Sequence, residues 1–397
     1  MFSGKILAGW LIDGSGRPAL KNVTLTIGEG IIQAVEPDGE RDMRSGAFID
    51  LTNSTLLPGL IDSHVHLCLP DGAAPAHHDL SARDGGAGKE ALIAHRLRQY
   101  ASYGIMAVRD GGDRFEMVLR YQKKRTPGEE SKVAIHTPGS AFYKRGRYGG
   151  FIGKEIAEGE TLSDAVSAQA PRVDHIKILN SGINSLTQFG RETPPQFTRE
   201  QLRQAVLMAA HFDRSVMVHA NGPAPVGMAI EAGCRSIEHG YFMGKENLLK
   251  MRDKGVIWVP TAIPMKAYAD ILAPGTVEAD VARRTLDHQL RQMVQARELG
   301  VLVAAGSDAG SPGVEHGAGL VEELKLLRLA GYSIEEAIRC ASLNGAALIS
   351  SRISGRIVTG EKAVFLVVPG SPDRLPESLI NVHQVGVADG SSLTQQP

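Results

Sequence analysis

Eight short apolar runs recur along the middle of the chain, separated by stretches with helical patterning, and this alternation restricts the fold more than any other feature. The runs cover residues 60–66, 105–109, 132–136, 175–179, 215–219, 235–239, 256–259 and 301–305. Strands that alternate with helices make a parallel sheet, because a parallel neighbour is reached only through a crossover. Eight such repeats are the number that closes a (β/α)8 barrel of the TIM type. The helical stretches include 198–211, opened by the capping pattern Thr198-Arg199-Glu200-Gln201, and 322–330. Residues 73–88, rich in Gly, Ala, His and Asp, read instead as a long loop after the first strand, on the face where barrels carry their sites.

The two ends of the chain have a different rhythm. Residues 1–56 break into short strand-like pieces around the turn Asp13-Gly14-Ser15-Gly16 and the Gly28 to Gly30 corner, and the chain from Gly355 onward does the same. The expected architecture is therefore α/β, with a barrel over 57–354 and a small discontinuous β-sandwich-like domain built from both termini, 1–56 and 355–397.

Lys+Arg 43 against Asp+Glu 44 leaves a net charge of -1, which implies no nucleic-acid or membrane partner. Lys5 and Asp13 interrupt the first twenty residues before an apolar run reaches signal-peptide length, so a cytoplasmic address is expected. The three cysteines, Cys68, Cys234 and Cys340, form no C-x-x-C pair, which argues against a disulfide framework and against a thiolate metal site. A metal here needs His, carboxylate or a modified side chain.

Such residues stand at the ends of the apolar runs. In Leu57-Pro58-Gly59-Leu60-Ile61-Asp62-Ser63-His64-Val65-His66, two histidines at i and i+2 of a strand share a face and reach one metal ion, unless they are a solvated surface pair. His219, in Val218-His219-Ala220-Asn221, and His239, in Glu238-His239-Gly240, each end a short run, one repeat apart. Either one alone reads equally as a cap or loop histidine, but strand C-termini converge on one site in a barrel. Asp308, after the eighth run, is a ligand or a turn aspartate. Lys177, inside Ile176-Lys177-Ile178-Leu179, is costly in an apolar strand unless it is paired or its stem reaches water.

The set His64-x-His66, Lys177, His219, His239 and Asp308 resembles the binuclear branch of the amidohydrolase superfamily, and within it the imidazolonepropionase-like and prolidase-type enzymes. The likeness covers nearly the whole chain. It implies a metal-dependent hydrolase that cleaves an amide-type C–N bond of a small molecule such as an N-acyl amino acid or a dipeptide. It implies two divalent metal ions, with His64, His66 and Asp308 on one, His219 and His239 on the other, and Lys177, carbamylated by CO2, bridging them. Imidazole and carboxylate donors suit Zn2+, with Mn2+, Co2+ or Fe2+ as alternatives. Water bridging the two ions would act as hydroxide, and Asp308 would be the catalytic proton shuttle. Relatives of this kind also imply a homo-oligomer.

For substrate binding, the segment 142–151 offers Arg147 and Tyr148, with His136, Asn221, Tyr241 and His78 as further candidates. Dipeptide-cleaving relatives often carry a tyrosine where this chain has Asn221, and a histidine near the place of Tyr148. Alternatives are a cyclic amide or lactam hydrolase and a heterocycle deaminase, the latter needing one metal and no lysine bridge. A non-catalytic scaffold would be expected to lack several of the six ligands, and none is missing.

Overall fold

The structure, a computed structural model, describes residues 3–37, 48–69, 86–125, 133–349 and 353–386. His78, Lys132 and most of the expected 73–88 loop lie outside the described residues, although the helix Gly86–Ser102 already takes up the last part of that stretch.

The N-terminal strands are β1 (Gly4–Leu11), β2 (Leu20–Gly28), β3 (Ile31–Pro37) and β4 (Phe48–Pro58). The central strands are β5 (Leu60–Val65), β6 (Ile105–Asp110), β7 (Ala134–His136), β8 (Ala141–Tyr143), β9 (Gly153–Glu155), β10 (Ile176–Leu179), β11 (Val216–Ala220), β12 (Ser236–His239) and β13 (Ile257–Val259). The chain closes with β14 (Val364–Pro369) and β15 (His383–Gly386).

Strands from both ends of the chain form one six-stranded mixed sheet in the order β15-β14-β4-β1-β2-β3. Side chains alternate faces along a strand, and β14 uses both. Phe365 and Val367 join Ile6, Val23, Leu25, Ile27 and Leu56 in a core of their own, whereas Leu366 and Val368 pack with Leu57 into the main core. The sheet is thus fastened to the rest of the molecule by the opposite side of the same strands. β4 runs on to Pro58, so this sheet takes in residues beyond position 56.

The central strands pair in parallel, β5-β6-β7 in one sheet and β13-β12-β11-β10-β8-β9 in another. Residues 303–309 connect them on one side: Val303 bridges Trp258 of β13, and Ala309 bridges Val65 on β5. The expected strand at 301–305 pairs on both sides: Trp258 N donates to Leu302 O and Ala304 N to Trp258 O, while Ala305 O accepts from Ser63 N, each at 2.9 Å. Beyond it the chain turns at Asp308, which lies in the left-handed region at φ 54. On the other side, β8 rather than β7 pairs with β10, an extra strand with no forewarning in the sequence pattern. Helices follow the strands, among them Arg199–His211, Pro223–Ala232, Gly244–Lys254 and Ala318–Leu329. The first of these begins as expected, with Thr198 and Gln201 forming a reciprocal capping box. Among the described residues no helix is long and apolar enough to cross a membrane.

Candidate active site

Parallel strands bring their C-terminal ends to one edge of a sheet, and here those ends carry the polar residues. His219 lies near the end of β11, His239 ends β12, and Ala220 pairs with His239 in register. The ring centroids of His219 and His239 are 4.6 Å apart, those of His64 and His239 4.9 Å, and those of His64 and His66 5.4 Å. Asp308 Oδ1 lies 3.5 Å from Nε2 of both His64 and His66. These three residues offer ligand atoms that all fall within 4.8 Å of one another. His64, His66, Lys177, His219, His239 and Asp308 together line one cavity of about 310 Å³.

Each ring is aimed by a partner behind it. His64 Nδ1 lies 2.8 Å from Glu238 Oε2, and the other oxygen of Glu238 accepts from Arg109 Nη2 at 2.8 Å. Arg109 is itself fully buried and also donates to Ser63 O and Ser236 Oγ. A carboxylate accepting at Nδ1 puts the proton there and leaves the Nε2 lone pair facing the cavity. His239 Nδ1 is 2.7 Å from Thr261 Oγ1, and His66 Nδ1 is 3.2 Å from Gly112 O. Asp62 accepts from Ser307 N and Oγ across 245 residues of sequence, clasping the segment that presents Asp308 to the strand that presents His64. Close approach also requires Gly111, where a Cβ would come within 2.5 Å of the His66 ring.

His239, Thr261 and Asp308 all have positive φ, at 68°, 42° and 54°. Left-handed backbone costs a non-glycine residue of order 1–3 kcal/mol and persists where the surroundings impose it. Three such residues around one cavity mark it as the place where local conformational preference yields to the geometry of a site.

Burial dominates the electrostatics. It pushes His219 down to about 4, with the Lys177 charge adding to the effect, and drives His64 and His239 well below the usual histidine range. All three rings are held neutral, the form that binds a metal. Lys177 is pushed down to about 8 by burial, against the pull of Glu238. Asp308 is pushed up to about 7 by burial, opposed by its hydrogen bond from Ser311 and by Lys177.

Of the residues read as substrate-binding, Tyr148, Asn221 and Tyr241 line the cavity. His136 and Arg147 do not line it. His136 is buried beside Asp174 and Arg109, and the exposed Arg147 donates to Pro194 O at 2.9 Å, fastening one loop to another. A solvated guanidinium with a carbonyl in reach gains more there than inside an apolar cavity. Sequence patterning misses Glu238 and Arg109, although a carboxylate immediately before a strand-end histidine is a usable signal. Ile183, Asn184 and Leu186, from a loop with no pattern of its own, and Tyr268, on the helix Ile263–Ile271, also line the wall.

The amidohydrolase family model matches residues 55–389. The chain belongs to the amidohydrolase family. This amidohydrolase is 28% identical over 405 residues to the ochratoxinase of Aspergillus niger, covering 92% of this chain and 81% of that protein. It is 24% identical over 368 residues to an imidazolonepropionase of Porphyromonas gingivalis, covering 81% and 76%. A crystal structure of a Xaa-Pro dipeptidase with methionine bound in its active site superposes with a TM-score of 0.78 at 26% identity, over 96% of this chain and 97% of that one. As an amidohydrolase the chain is a metal-dependent hydrolase acting on C–N bonds.

Proposed function

We propose that this amidohydrolase cleaves an amide C–N bond in a small molecule with an apolar or aromatic substituent, such as an N-acyl amino acid, a dipeptide or a related amide, at a centre of two divalent ions. The central parallel strands with residues 303–309 are taken as its (β/α)8 barrel, and the terminal sheet as a small β domain. The observation that carries the proposal is the convergence of six donors on one cavity with two buried nitrogens left over. Among the described residues, His64 Nε2 and Lys177 Nζ are buried without a hydrogen-bond partner. Unsatisfied buried polar atoms cost roughly 1–3 kcal/mol each, so a fold that keeps two of them on residues lining one cavity fits an additional group there.

Imidazoles and carboxylates without thiolate suit Zn2+, with Mn2+, Co2+ and Fe2+ as alternatives. His64, His66 and Asp308 would hold one ion and His219 and His239 the other, with Lys177, carbamylated, between them. An amine that is partly neutral near pH 8, as Lys177 is, can take up CO2. The ions, when bound, supply Lewis acidity, drawing the pKa of water toward about 7 and polarising the scissile carbonyl. Asp308 takes the proton from the attacking water and returns it to the leaving nitrogen, which departs only when protonated. Glu238 and Arg109 keep His64 in one tautomer. Leu69, Phe151, Ile152, Leu186, Pro264 and Met265 give the cavity the apolar wall that receives the substituent. A buried, unpartnered Lys177 has no use in a one-metal deaminase, and cyclic amides remain within the same chemistry. The reading also retains a cytoplasmic, homo-oligomeric enzyme.

The test is to strip the purified protein of metal, reload it with Zn2+ or Mn2+ plus bicarbonate, and assay N-acyl amino acids, dipeptides and cyclic amides. The proposal expects about two equivalents of metal per chain and C–N cleavage that depends on them. Less than about half an equivalent and no turnover on any member of the panel would overturn it.

A further inference from the structure

The wall of the cavity is not anchored evenly. Ile183, Asn184 and Leu186 line it from residues 183–192, which form neither helix nor strand between β10 and the helix Arg199–His211. The base of this segment is tied: Gly182 N donates to Thr193 Oγ1 at 2.8 Å, and beyond it Gln196 N and Phe197 N donate to Asn180 O and Asn180 Oδ1 at 3.0 and 3.2 Å. Its far end has no such ties. Among the described residues, the hydrogen bonds of 183–192 run only within the segment, around Ser185 Oγ and from Arg191 N to Gln188 O. A loop closed at its base and filled by its own side chains is an Ω-loop.

One ring fastens that far end. Arg284 Cζ lies 4.3 Å from the centroid of Phe189, and the Phe189 ring stands edge-on to Phe242 at 5.3 Å and to His288 at 6.4 Å. Arg284 and His288 stand one turn apart on the helix Val277–Leu299, so they present one face to the ring. Phe242 completes the seat from a left-handed backbone at φ 57, directly after Tyr241 of the cavity wall. Phe189 nevertheless stays 37% exposed and Ile183 57% exposed, so no core holds either of them. A cation–π contact and an edge-on aromatic pair together favour a docked ring by about tenfold to a hundredfold, which is little for a whole wall.

We propose that Phe189 is a positioning residue that sets substrate choice: docked on Arg284, Phe242 and His288, it holds Ile183 and Leu186 against the cavity and so favours substrates with a bulky apolar substituent. The inference rests on the amide-hydrolase reading of the same site. Phe189 is outside the cavity and touches no reacting atom. With its ring undocked the segment keeps its base and loses its place. A long acyl group then loses its apolar contact, whereas a small one still reaches the donors and the opposite wall. Such contact is made equally in the bound substrate and in the transition state, so its loss raises KM and leaves kcat.

The test uses the metal-loaded full chain with Phe189→Ala, Phe189→Tyr and Arg284→Ala, assayed on N-acyl amino acids whose acyl group grows from acetyl to octanoyl. We expect Phe189→Ala to raise KM for the long acyl groups about tenfold, with kcat and the acetyl substrate within about twofold of the parent and metal content unchanged. Arg284→Ala should shift KM in the same direction by about threefold, and Phe189→Tyr, which keeps the ring, should match the parent. A second readout needs no turnover. Trypsin cuts after the exposed Arg191, and the resulting fragments, scored by mass, should appear about tenfold faster from Phe189→Ala than from the parent or Phe189→Tyr, because cutting follows the undocked population. A parental dependence on acyl length in Phe189→Ala overturns the proposal, whatever the rate of cutting. If the parent turns over no amide at all, the reading of the function fails, and a cutting rate unchanged by Phe189→Ala then overturns the docking role separately.

Discussion

Phe365 in β14 and Lys177 in β10 are equally inaccessible, each 1% exposed, and they are buried for opposite reasons. The terminal sheet fills the space around Phe365 with Ile6, Leu25, Ile27, Leu56 and Val367, a purely apolar core whose worth is the area removed from water. Around Lys177 the chain buries Arg109, Glu238, Asp308 and four histidines, groups whose desolvation works against folding. One region is shaped by the hydrophobic effect, and the other is tolerated by the fold because of what it does. Substitutions in the two should therefore fail differently, in stability for the first and in chemistry for the second.

The sharpest break in that contrast is Lys177→Ala. It removes a desolvated amine, so the protein should not be destabilised, yet the variant is expected to hold no more than one ion per chain and to show no measurable turnover. Metal analysis beside a thermal melt decides it, and a variant with two ions and full activity would rule out Lys177 as the bridge. Asp308→Asn comes next, because an amide can still approach a metal but cannot accept and return a proton. We expect kcat to fall about 10⁴-fold with much of the metal retained, and the acidic limb of the pH–rate profile to shift or vanish. Near-normal kcat with an unchanged limb would clear Asp308 of the shuttle role.

On the apolar side, Phe365→Ala should cost about 3–5 kcal/mol of stability, read from denaturant unfolding, while the folded fraction keeps its metal and its kcat/KM within about twofold. A larger loss of kcat/KM in the folded protein would show that the terminal sheet acts on the site. The smallest effect is a pH dependence confined to the metal-free protein. Burial holds His219 down to about 4 in the folded chain against 6.5 in the free residue, so between those values the unfolded chain binds more protons. The contribution of His219 to stability should fall as the pH drops from 6.5 to about 4, with His64 and His239 acting in the same direction and the buried Asp308, held up at about 7, acting in the opposite one. The histidine part is isolated by comparing the parent with His219→Gln, and an identical dependence of Tm on pH in the two would mean that His219 is hydrated rather than buried neutral.

The same contrast explains which features are legible in the amino-acid sequence. Apolar alternation reports on its own environment, which is why β1, β2, β14 and the strands ending at His219 and His239 stand out. The donors stand out because each interrupts or ends such a run: Lys177 inside one, His64 and His66 at the end of another. Arg109 and Glu238 escape because a buried ion pair has no periodicity, and in a sequence each looks like an exposed charge. β8 escapes for a geometric reason, being only three residues long and too short for any alternation to show. Arg147 misleads because charge alone does not say whether a loop residue faces a cavity or a neighbouring carbonyl, and here the carbonyl of Pro194 is its partner.

The clasp between Asp62 and Ser307 sets an order of events during synthesis. A chain emerging from the ribosome presents His64 and His66 early, but Ser307, which secures their strand, stands 245 residues beyond its partner Asp62, with Asp308 next to it. Closing so long a loop is slow and comes after local pairing. Through most of translation the two histidines are on a strand without its final neighbour and without Asp308. Durable loading should therefore begin only after residue 308 has left the exit tunnel, which makes the choice of metal a matter for the finished protein and the ions around it.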